Sequence, residues 1–306
     1  MNKPRICVLL ATYNGIENLK VQIDSILNQD HVDITIFAYD DQSRDGTRQM
    51  LEKLSRENSR VILAGWEAAS GGAFQNFKAA VLDNDCRGFD YIAFSDQDDI
   101  WQPFKISHQI SCMQSTGASG SSSSVIAFYD DMSHADRLVN NVGVQTPYDY
   151  LFEGGGQGCT YLFTPDAYAI LKSAFRTHET HSPNALVPHD WLLYALCRVS
   201  GRRWLIVPEA LVMYRQHRLN VMGARGGLTG LLHRAKMLRA GIFRKQRLAI
   251  CHTLNMAYPG KVPSVILSEN SKFFARFFFA IKEPFAFRRF KAHSLVMAVL
   301  FICKLA

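Results

Sequence analysis

Acidic residues gather in two short clusters of this sequence, and each cluster follows an apolar run. Asp40 and Asp41 follow Ile34–Tyr39, and the segment Asp96-Gln97-Asp98-Asp99 follows Tyr91–Ser95. Carboxylates with the spacing of Asp96 and Asp98 can present oxygens to a hard divalent cation, and Mg²⁺ favours carboxylates together with phosphate oxygens. Turns and helix N-caps explain one such cluster equally well. Two clusters that both follow apolar runs favour a site for a metal ion and a nucleoside diphosphate.

The apolar runs alternate with segments of helical spacing, which predicts an α/β fold. A parallel sheet with helices on both faces follows from this alternation, and its functional residues are expected at the carboxyl ends of the strands. The run Ser115–Ser124 is of low complexity and is predicted to be a flexible surface loop. The predicted strands are 6–11, 34–39, 61–64, 91–95, 125–129 and 161–163, and the predicted helices are 17–29, 47–54 and 74–82.

Charge divides unevenly along the 306 residues. Residues 1–224 carry 19 Lys or Arg against 25 Asp or Glu, whereas residues 225–306 carry 15 against 2. The sequence therefore predicts an acidic catalytic domain over 1–224 and a basic, aromatic-rich helical extension over 225–306, with helical spacing from Leu228. Apolar residues make up 48% of the chain, which excludes disorder over its whole length.

Cysteine spacing and the length of the apolar runs exclude further classes. Seven cysteines without a C-x-x-C pair suggest neither a disulfide framework nor a zinc ribbon. The apolar run that begins at Ile6 is too short for a signal peptide, so no export is expected. Leu295–Cys303 has nine residues, against the roughly 20 that a membrane-spanning helix needs.

An ordered series of motifs runs through residues 5–224. Its segments are Ala11-Thr12-Tyr13-Asn14, Asp40 to Thr47, Gly71 to Val81 with Asn76-Phe77, Ser95 to Trp101, His189-Asp190-Trp191, and Tyr214-Arg215-Gln216-His217 with Asn220. The order of these motifs resembles glycosyltransferase family 2, whose fold is GT-A, and the later segments resemble the bacterial rhamnosyltransferase branch of that family. The Gln-x-x-Arg-Trp motif of processive members is replaced by Tyr-Arg-Gln-His, which argues against a polymerase.

The resemblance implies a nucleotide-sugar donor and a divalent metal, Mg²⁺ or Mn²⁺. Asp41 is expected to contact the base or ribose, and Asp96 and Asp98 the ribose and the metal-bound diphosphate. His217 falls where the family binds diphosphate and sometimes metal. The residues expected to bind the donor are Thr12, Tyr13, Asn14, Asp41, Asn76, Asp96, Arg215 and His217, and those expected to bind metal are Asp98 and His217.

Asp190 matches the family's catalytic base. An acceptor hydroxyl is a poor nucleophile at neutral pH, so a carboxylate that accepts its proton assists an inverting displacement. Asp190 precedes an apolar helical segment, where partial burial would raise its pKa. An ordinary helix N-terminal Asp is the alternative. The acceptor side is expected to comprise Gly158, Cys159, Thr160, His189 and Trp191.

Aromatic residues at helical spacing and basic residues share the C-terminal segment, a composition that favours an anionic membrane surface. The alternative is that the aromatic stripe is core between C-terminal helices. Nucleic acid is not expected, since no recognisable nucleic-acid module accompanies the charge. The aromatic and apolar positions are Phe273, Phe274, Phe277, Phe278, Ile281, Phe285, Phe287 and Phe290, with Lys272, Arg276, Lys282, Arg288, Arg289 and Lys291 among them.

The resemblance implies transfer of one sugar, L-rhamnose from dTDP-L-rhamnose, to a lipid-linked saccharide in cell-surface polysaccharide synthesis, such as O-antigen or capsule. The enzyme would lie peripherally on the inner, cytoplasmic face of the bacterial cytoplasmic membrane. A UDP-hexose donor such as UDP-galactose or UDP-glucose is one alternative. A non-catalytic protein that binds the membrane surface is the alternative of another class.

Overall fold

A computed structural model describes residues 3–65, 70–130, 135–181, 187–216, 236, 238–268 and 270–306. The strands are β1 (Arg5–Thr12), β2 (Asp33–Asp40), β3 (Val61–Ala64), β4 (Tyr91–Ser95), β5 (Ile100–Trp101), β6 (Gly120–Phe128), β7 (Arg137–Val139), β8 (Leu162–Phe163) and β9 (Trp204–Arg215). The helices are α1 (Ile16–Leu27), α2 (Thr47–Glu57), α3 (Ala73–Asp83), α4 (Lys105–Thr116), α5 (Pro165–His181), α6 (His189–Val199), α7 (Ile242–Ala257), α8 (Ser264–Leu267), α9 (Phe273–Lys282) and α10 (Lys291–Ile302).

One mixed sheet organises the chain, in the order β3-β2-β1-β4-β8-β6-β9-β5, with β7 paired to β6. The first four strands of this order are parallel, as the βαβ pattern predicts. β8 runs antiparallel to both β4 and β6, and β6 is parallel to β9. The sheet therefore begins as a parallel half, formed by β3, β2, β1 and β4, and continues as a mixed half.

Helices cover both faces of the sheet, and the side chains of β1 point alternately into the two cores that result. Cys7, Leu9 and Ala11 pack into a core with α3, α5 and α6. Ile6, Val8 and Leu10 pack into a second core with α1, α2 and α4. Because successive side chains of a strand point to opposite faces, a continuous apolar run serves both cores.

The prediction of a flexible loop at Ser115–Ser124 is wrong. Residues up to Thr116 belong to α4, and Gly120–Phe128 forms β6, in which Ser121 to Ser124 are fully buried. The hydroxyls make internal hydrogen bonds: Gln109 Nε2 donates to Ser121 Oγ at 3.1 Å, and Trp204 Nε1 donates to Ser122 Oγ at 3.1 Å. Small side chains are required here, because a Cβ at Gly120 would lie 2.4 Å from the Trp204 ring.

The C-terminal helices share a core with the body of the protein. Ile250 and Leu254 of α7 and Phe301 of α10 lie in the same apolar cluster as Leu9 of β1 and Leu192 of α6. The helical segment predicted from Leu228 falls mostly outside the described residues. Among the residues that are described, each helix is too short or too polar to cross a lipid bilayer.

Candidate active site

The carboxyl ends of β1 and β2 are tied together at the predicted nucleotide site. Thr12, the last residue of β1, donates its hydroxyl to Asp40 Oδ1 at 3.1 Å. Asn76 of α3 donates its amide to the Tyr39 carbonyl at 3.0 Å and to the Thr12 carbonyl at 3.3 Å. Asp41 is nearly buried and accepts the backbone N–H of Ser70. Thr12, Asn76 and Asp41 are therefore brought to one edge of the sheet, as predicted.

Gln97 connects the second acidic cluster to the turn after β1. Its Oε1 accepts the Tyr13 N–H at 2.7 Å, and its Nε2 donates to the Tyr13 carbonyl at 2.9 Å. Gly15 makes this approach possible, because a Cβ there would lie 2.2 Å from Gln97 Oε1. Asn14 adopts a left-handed backbone (φ 47°) and accepts the Arg44 N–H through Oδ1 at 2.8 Å. The Tyr13 ring remains exposed beside this turn.

Three carboxylates converge on the sheet edge. The pKa of Asp96 is raised to about 7 by burial, then by the charge of Asp98, then by the charge of Asp190. The charge of Asp190 therefore acts on Asp96, although the two residues are 94 positions apart in sequence. Crowded carboxylates favour either a shared proton or a bound cation.

Asp190 is the second residue of α6, and its carboxylate folds back onto backbone N–H groups. Trp191 N–H donates to Oδ1 at 2.7 Å, and the nearby backbone N–H of Gly158 acts to lower the pKa of this carboxylate. Burial nevertheless raises the pKa of Asp190 to about 6. A Cβ at Gly158 would lie 3.1 Å from Asp190 Cβ, so the absent side chain leaves room for this contact. A carboxylate with a pKa near 6 is ionised at neutral pH and remains basic enough to accept a proton.

The other predicted acceptor residues lie mostly beneath the surface. His189 is 5% exposed and stacks on Phe77 with ring centroids 3.9 Å apart. Burial lowers its pKa to about 3, so the ring is neutral, and neither ring nitrogen has a hydrogen-bond partner among the described residues. Trp191 is buried, stacks on Phe243 at 5.4 Å, and donates Nε1–H to the Tyr150 carbonyl at 2.9 Å. Cys159 and Thr160 are also buried.

Arg215, the last residue of β9, fixes the acidic loop to the mixed half of the sheet. Its Nε donates to the Asp98 carbonyl at 2.7 Å, and its N–H donates to Asp99 Oδ1 at 3.2 Å. Nη1 forms an ion pair with Asp130. Arg215 is thus beside the predicted diphosphate site, while His217 lies outside the described residues.

The carboxylates of Asp96 and Asp98 suit a hard divalent cation better than the group formed by Asp96, Asp99 and Cys159 does. Ligand atoms of Asp96, Asp99 and Cys159 lie within 4.8 Å of one another. Burial raises the pKa of the Cys159 thiol well above its usual value, so a thiolate is absent at neutral pH, and a protonated thiol suits neither Mg²⁺ nor Mn²⁺. Asp96 and Asp98, whose mutual repulsion a cation relieves, form the more suitable pair.

Sequence reasoning assigned no role to Gln97, Asp99 or Asp130. Gln97 and Asp99 lie inside the motif Ser95 to Trp101, but their contacts are with elements distant in sequence. The residues around them therefore do not predict these contacts. Asp130 had a usable signal, because it follows the predicted strand 125–129 and the strand-end argument applies to it equally.

Solved structures place the fold among the GT-A glycosyltransferases. TarS residues 1–349 of S. aureus, solved with UDP, superimposes with a TM-score of 0.57 at 13% identity, covering 99% of this chain and 81% of that one. The mannosyltransferase PcManGT of Pyrobaculum calidifontis, solved with GDP-Man and Mn²⁺, gives 0.51 at 16% identity, covering 99% and 75%. These superpositions confirm the predicted fold class.

Sequence comparison narrows this class. Residues 7–177 match the family model of Glycosyl transferase family 2. The dTDP-rhamnosyl transferase RfbG of Shigella flexneri is 35% identical over 246 residues, 80% of this chain and 84% of that protein. The chain belongs to Glycosyl transferase family 2, and the family inferred from the motifs is confirmed.

Proposed function

We propose that this protein is an inverting glycosyltransferase that moves one L-rhamnosyl unit from dTDP-L-rhamnose to a saccharide acceptor in cell-surface polysaccharide synthesis. The observation that carries the proposal is the convergence of Asp190 on Asp96 and Asp98 at the carboxyl edge of the sheet. The similarity to the Shigella flexneri rhamnosyl transferase supports the donor sugar.

Asp190 acts as the base in this proposal. Its carboxylate takes the proton of the acceptor hydroxyl while that oxygen attacks the anomeric carbon and the bond to the diphosphate breaks. The Trp191 N–H and the close packing of Gly158 hold the carboxylate in place, and burial keeps its pKa near 6. One displacement inverts the anomeric centre, so no covalent intermediate is needed. The buried Cys159, whose pKa is raised, has no nucleophilic role in this step.

The donor occupies the edge formed by the ends of β1, β2 and β4. Thr12, Tyr13, Asn14, Asp41 and Asn76 frame the nucleotide, and Asp96 the ribose. Asp98, with His217 as a further ligand, would hold a divalent cation, Mg²⁺ or Mn²⁺, and such a cation would neutralise charge at the diphosphate. Arg215 adds a fixed positive charge beside the same loop.

A panel of nucleotide sugars tests the donor. Hydrolysis of dTDP-L-rhamnose, UDP-glucose and UDP-galactose is measured with Mg²⁺, with Mn²⁺ and with chelator. Preferential turnover of dTDP-L-rhamnose supports the proposal, while preferential turnover of a UDP-hexose moves the enzyme to the alternative donor. Failure to turn over or to be stabilised against heat by any nucleotide sugar favours a non-catalytic membrane-binding protein.

The acceptor is proposed to be lipid-linked, with the enzyme peripheral on the inner face of the cytoplasmic membrane. On α9, Phe274 is 68% and Phe278 is 66% exposed, and on α10, Val296 is 60% exposed. The lysines of the same segment at positions 272, 282, 291 and 304 are also exposed. We call these exposed apolar residues and lysines the lipid face. Each cation near an anionic bilayer contributes about 1 kcal/mol, and the aromatic rings add apolar burial.

Point variants test the lipid face better than truncation does, because α7 and α10 also build the core. Phe274→Ser with Phe278→Ser is expected to reduce flotation with phosphatidylglycerol-containing vesicles. Val144→Ser is the matched control, since Val144 is an equally exposed apolar residue outside the C-terminal helices. Equal flotation of the double variant and the control would exclude this face as the lipid contact.

A further inference from the structure

The turn between α9 and α10 lies against the body of the protein. The Thr146 hydroxyl and the Tyr148 N–H both donate to the Ala286 carbonyl, at 2.7 and 3.1 Å. Ser294 Oγ accepts the Phe287 N–H at 3.0 Å. The turn is therefore held from two sides, and the side chains that leave it have defined positions.

Arg289 extends from this turn to the loop of residues 149–158. Its backbone N–H donates to Glu153 Oε1 at 2.7 Å, and its Nη1 donates to the Gly154 carbonyl at 2.8 Å. Nη1 also lies 3.9 Å from Asp149 Oδ2. The Arg289 side chain is only 5% exposed, and the planar guanidinium fork suits several acceptors at once.

The neighbouring arginine strengthens the same contact. Arg288 Nη2 donates to the Phe152 carbonyl at 3.0 Å, and its Nη1 lies 3.9 Å from Glu153 Oε2. Asp149 is fully buried and also accepts the Tyr194 hydroxyl at 2.6 Å, which ties this end of the loop to α6. Buried charges are tolerated only when they are paired and hydrogen-bonded, so the loop and the turn require each other.

The far end of the loop contacts the candidate base. Gly155 N–H donates to Tyr161 Oη at 2.9 Å, and a Cβ at Gly154 would lie 3.5 Å from Trp191 Cα. Gly158 then packs directly against Asp190, because a Cβ at Gly158 would lie 3.1 Å from Asp190 Cβ and 3.3 Å from Asp190 Oδ2. A shift at Gly154 is therefore passed to Asp190 through a short, closely packed stretch of backbone.

We propose that Arg289 is a positioning residue, which holds the loop 153–158 against Asp190 and so makes the geometry of the active site depend on the C-terminal helices. The part of this proposal that concerns catalysis rests on the proposed function. Arg289 acts through the loop and through Gly158.

Hydrogen exchange tests the structural part on the full chain. Arg289→Met removes the fork, and Arg289→Lys keeps the charge alone. Arg276→Met is the matched control, because Arg276 is an equally buried arginine of α9 that donates to the carbonyls of Ser271 and Ile302. We expect R289M to speed amide exchange in peptides covering 149–161, with R289K intermediate, whereas R276M affects α9 and α10. Unchanged exchange at 149–161 in R289M, or equal acceleration in R276M, overturns the proposal.

Hydrolysis of dTDP-L-rhamnose tests the catalytic part. In R289M we expect kcat to fall by about tenfold or more, since small misplacements of a catalytic group are costly. The KM for the donor should stay within about twofold of wild type, because the donor edge is built by other strands. A loss of kcat in R276M equal to that in R289M contradicts positioning. If the wild-type protein hydrolyses no nucleotide sugar, the proposed function fails, and the exchange comparison decides the role of Arg289 alone.

Discussion

Asp190→Asn is expected to abolish turnover and at the same time to stabilise the fold. Burial raises the pKa of Asp190 from 3.8 to about 6, so the folded state holds this proton more tightly than the unfolded chain does. Stability from the protonated group is fully present below pH 3.8 and is lost as pH rises through 6. At 1.36 kcal/mol per pKa unit, the ionised carboxylate costs about 3 kcal/mol at pH 7.5. Asparagine removes this cost, so we expect a gain of about 1–3 kcal/mol.

Urea unfolding at pH 4.5 and 7.5 measures the gain, which should shrink at the lower pH. Donor turnover measured from pH 5 to 9 should fall about 10²- to 10⁴-fold in the variant, and wild-type activity should decline below about pH 6. Asp166→Asn is the matched control, because Asp166 is also the second residue of a helix but is exposed. Its loss should cost about 0.3–1 kcal/mol through the helix dipole and leave turnover unchanged. If D190N loses stability as D166N does, or retains turnover, Asp190 is an ordinary helix N-terminal residue.

Two further variants test the metal and the acceptor loop. Asp98→Ala should lower the affinity for dTDP about tenfold or more with Mn²⁺ present, because a metal ligand is lost next to the diphosphate. Asp24→Ala on α1 is the control. If Asp98→Ala binds dTDP as the wild type does, both with and without Mn²⁺, Asp98 is not a metal ligand. Gly158→Ala places a Cβ 3.1 Å from Asp190 Cβ, so kcat for donor hydrolysis should fall with donor affinity retained. Gly65→Ala, where the nearest atom is 3.8 Å away, should match wild type, and equal kcat in both glycine variants would show that the space at Gly158 is dispensable.

Strand-end reasoning could place the expected donor residues at one edge of the sheet because the information is local. A βαβ segment sends its next residues to the carboxyl edge of the sheet, so Asp41, Asp96 and Asp98 could be placed together from their positions after apolar runs. The position of Asp190 beside Asp96 depends on the packing of α6 against a strand far away in sequence. The residue pattern alone predicts that Asp190 lies at the N-terminus of a helix. Its expected role as the catalytic base comes only from the resemblance to the family.

The serine run shows where composition misleads. Ser121–Ser124 was interpreted as a loop because small polar residues are common in linkers. In β6 the same residues are buried, since Gln109 and Trp204 provide partners for their hydroxyls and Trp204 leaves no room for larger side chains at Gly120. Those partners come from α4 and β9, so the sequence around the serines does not predict them.

The arginines and lysines of the C-terminal segment differ in burial, which a count of charges does not show. Arg276 and Arg289 are buried, and Arg288 is mostly buried, whereas Lys282 and Lys291 are exposed. Arginine presents several donors in a rigid plane, which satisfies carbonyls and carboxylates inside the protein, and lysine carries a compact charge that remains hydrated. Arg288 and Arg289 therefore join the turn between α9 and α10 to the loop beside Asp190, whereas Arg276 donates to the carbonyls of Ser271 and Ile302. The exposed lysines are those of the proposed lipid face. Because Arg288 and Arg289 contact the loop while Lys282 and Lys291 are exposed, a variant that removes the arginine contacts need not disturb the proposed lipid face.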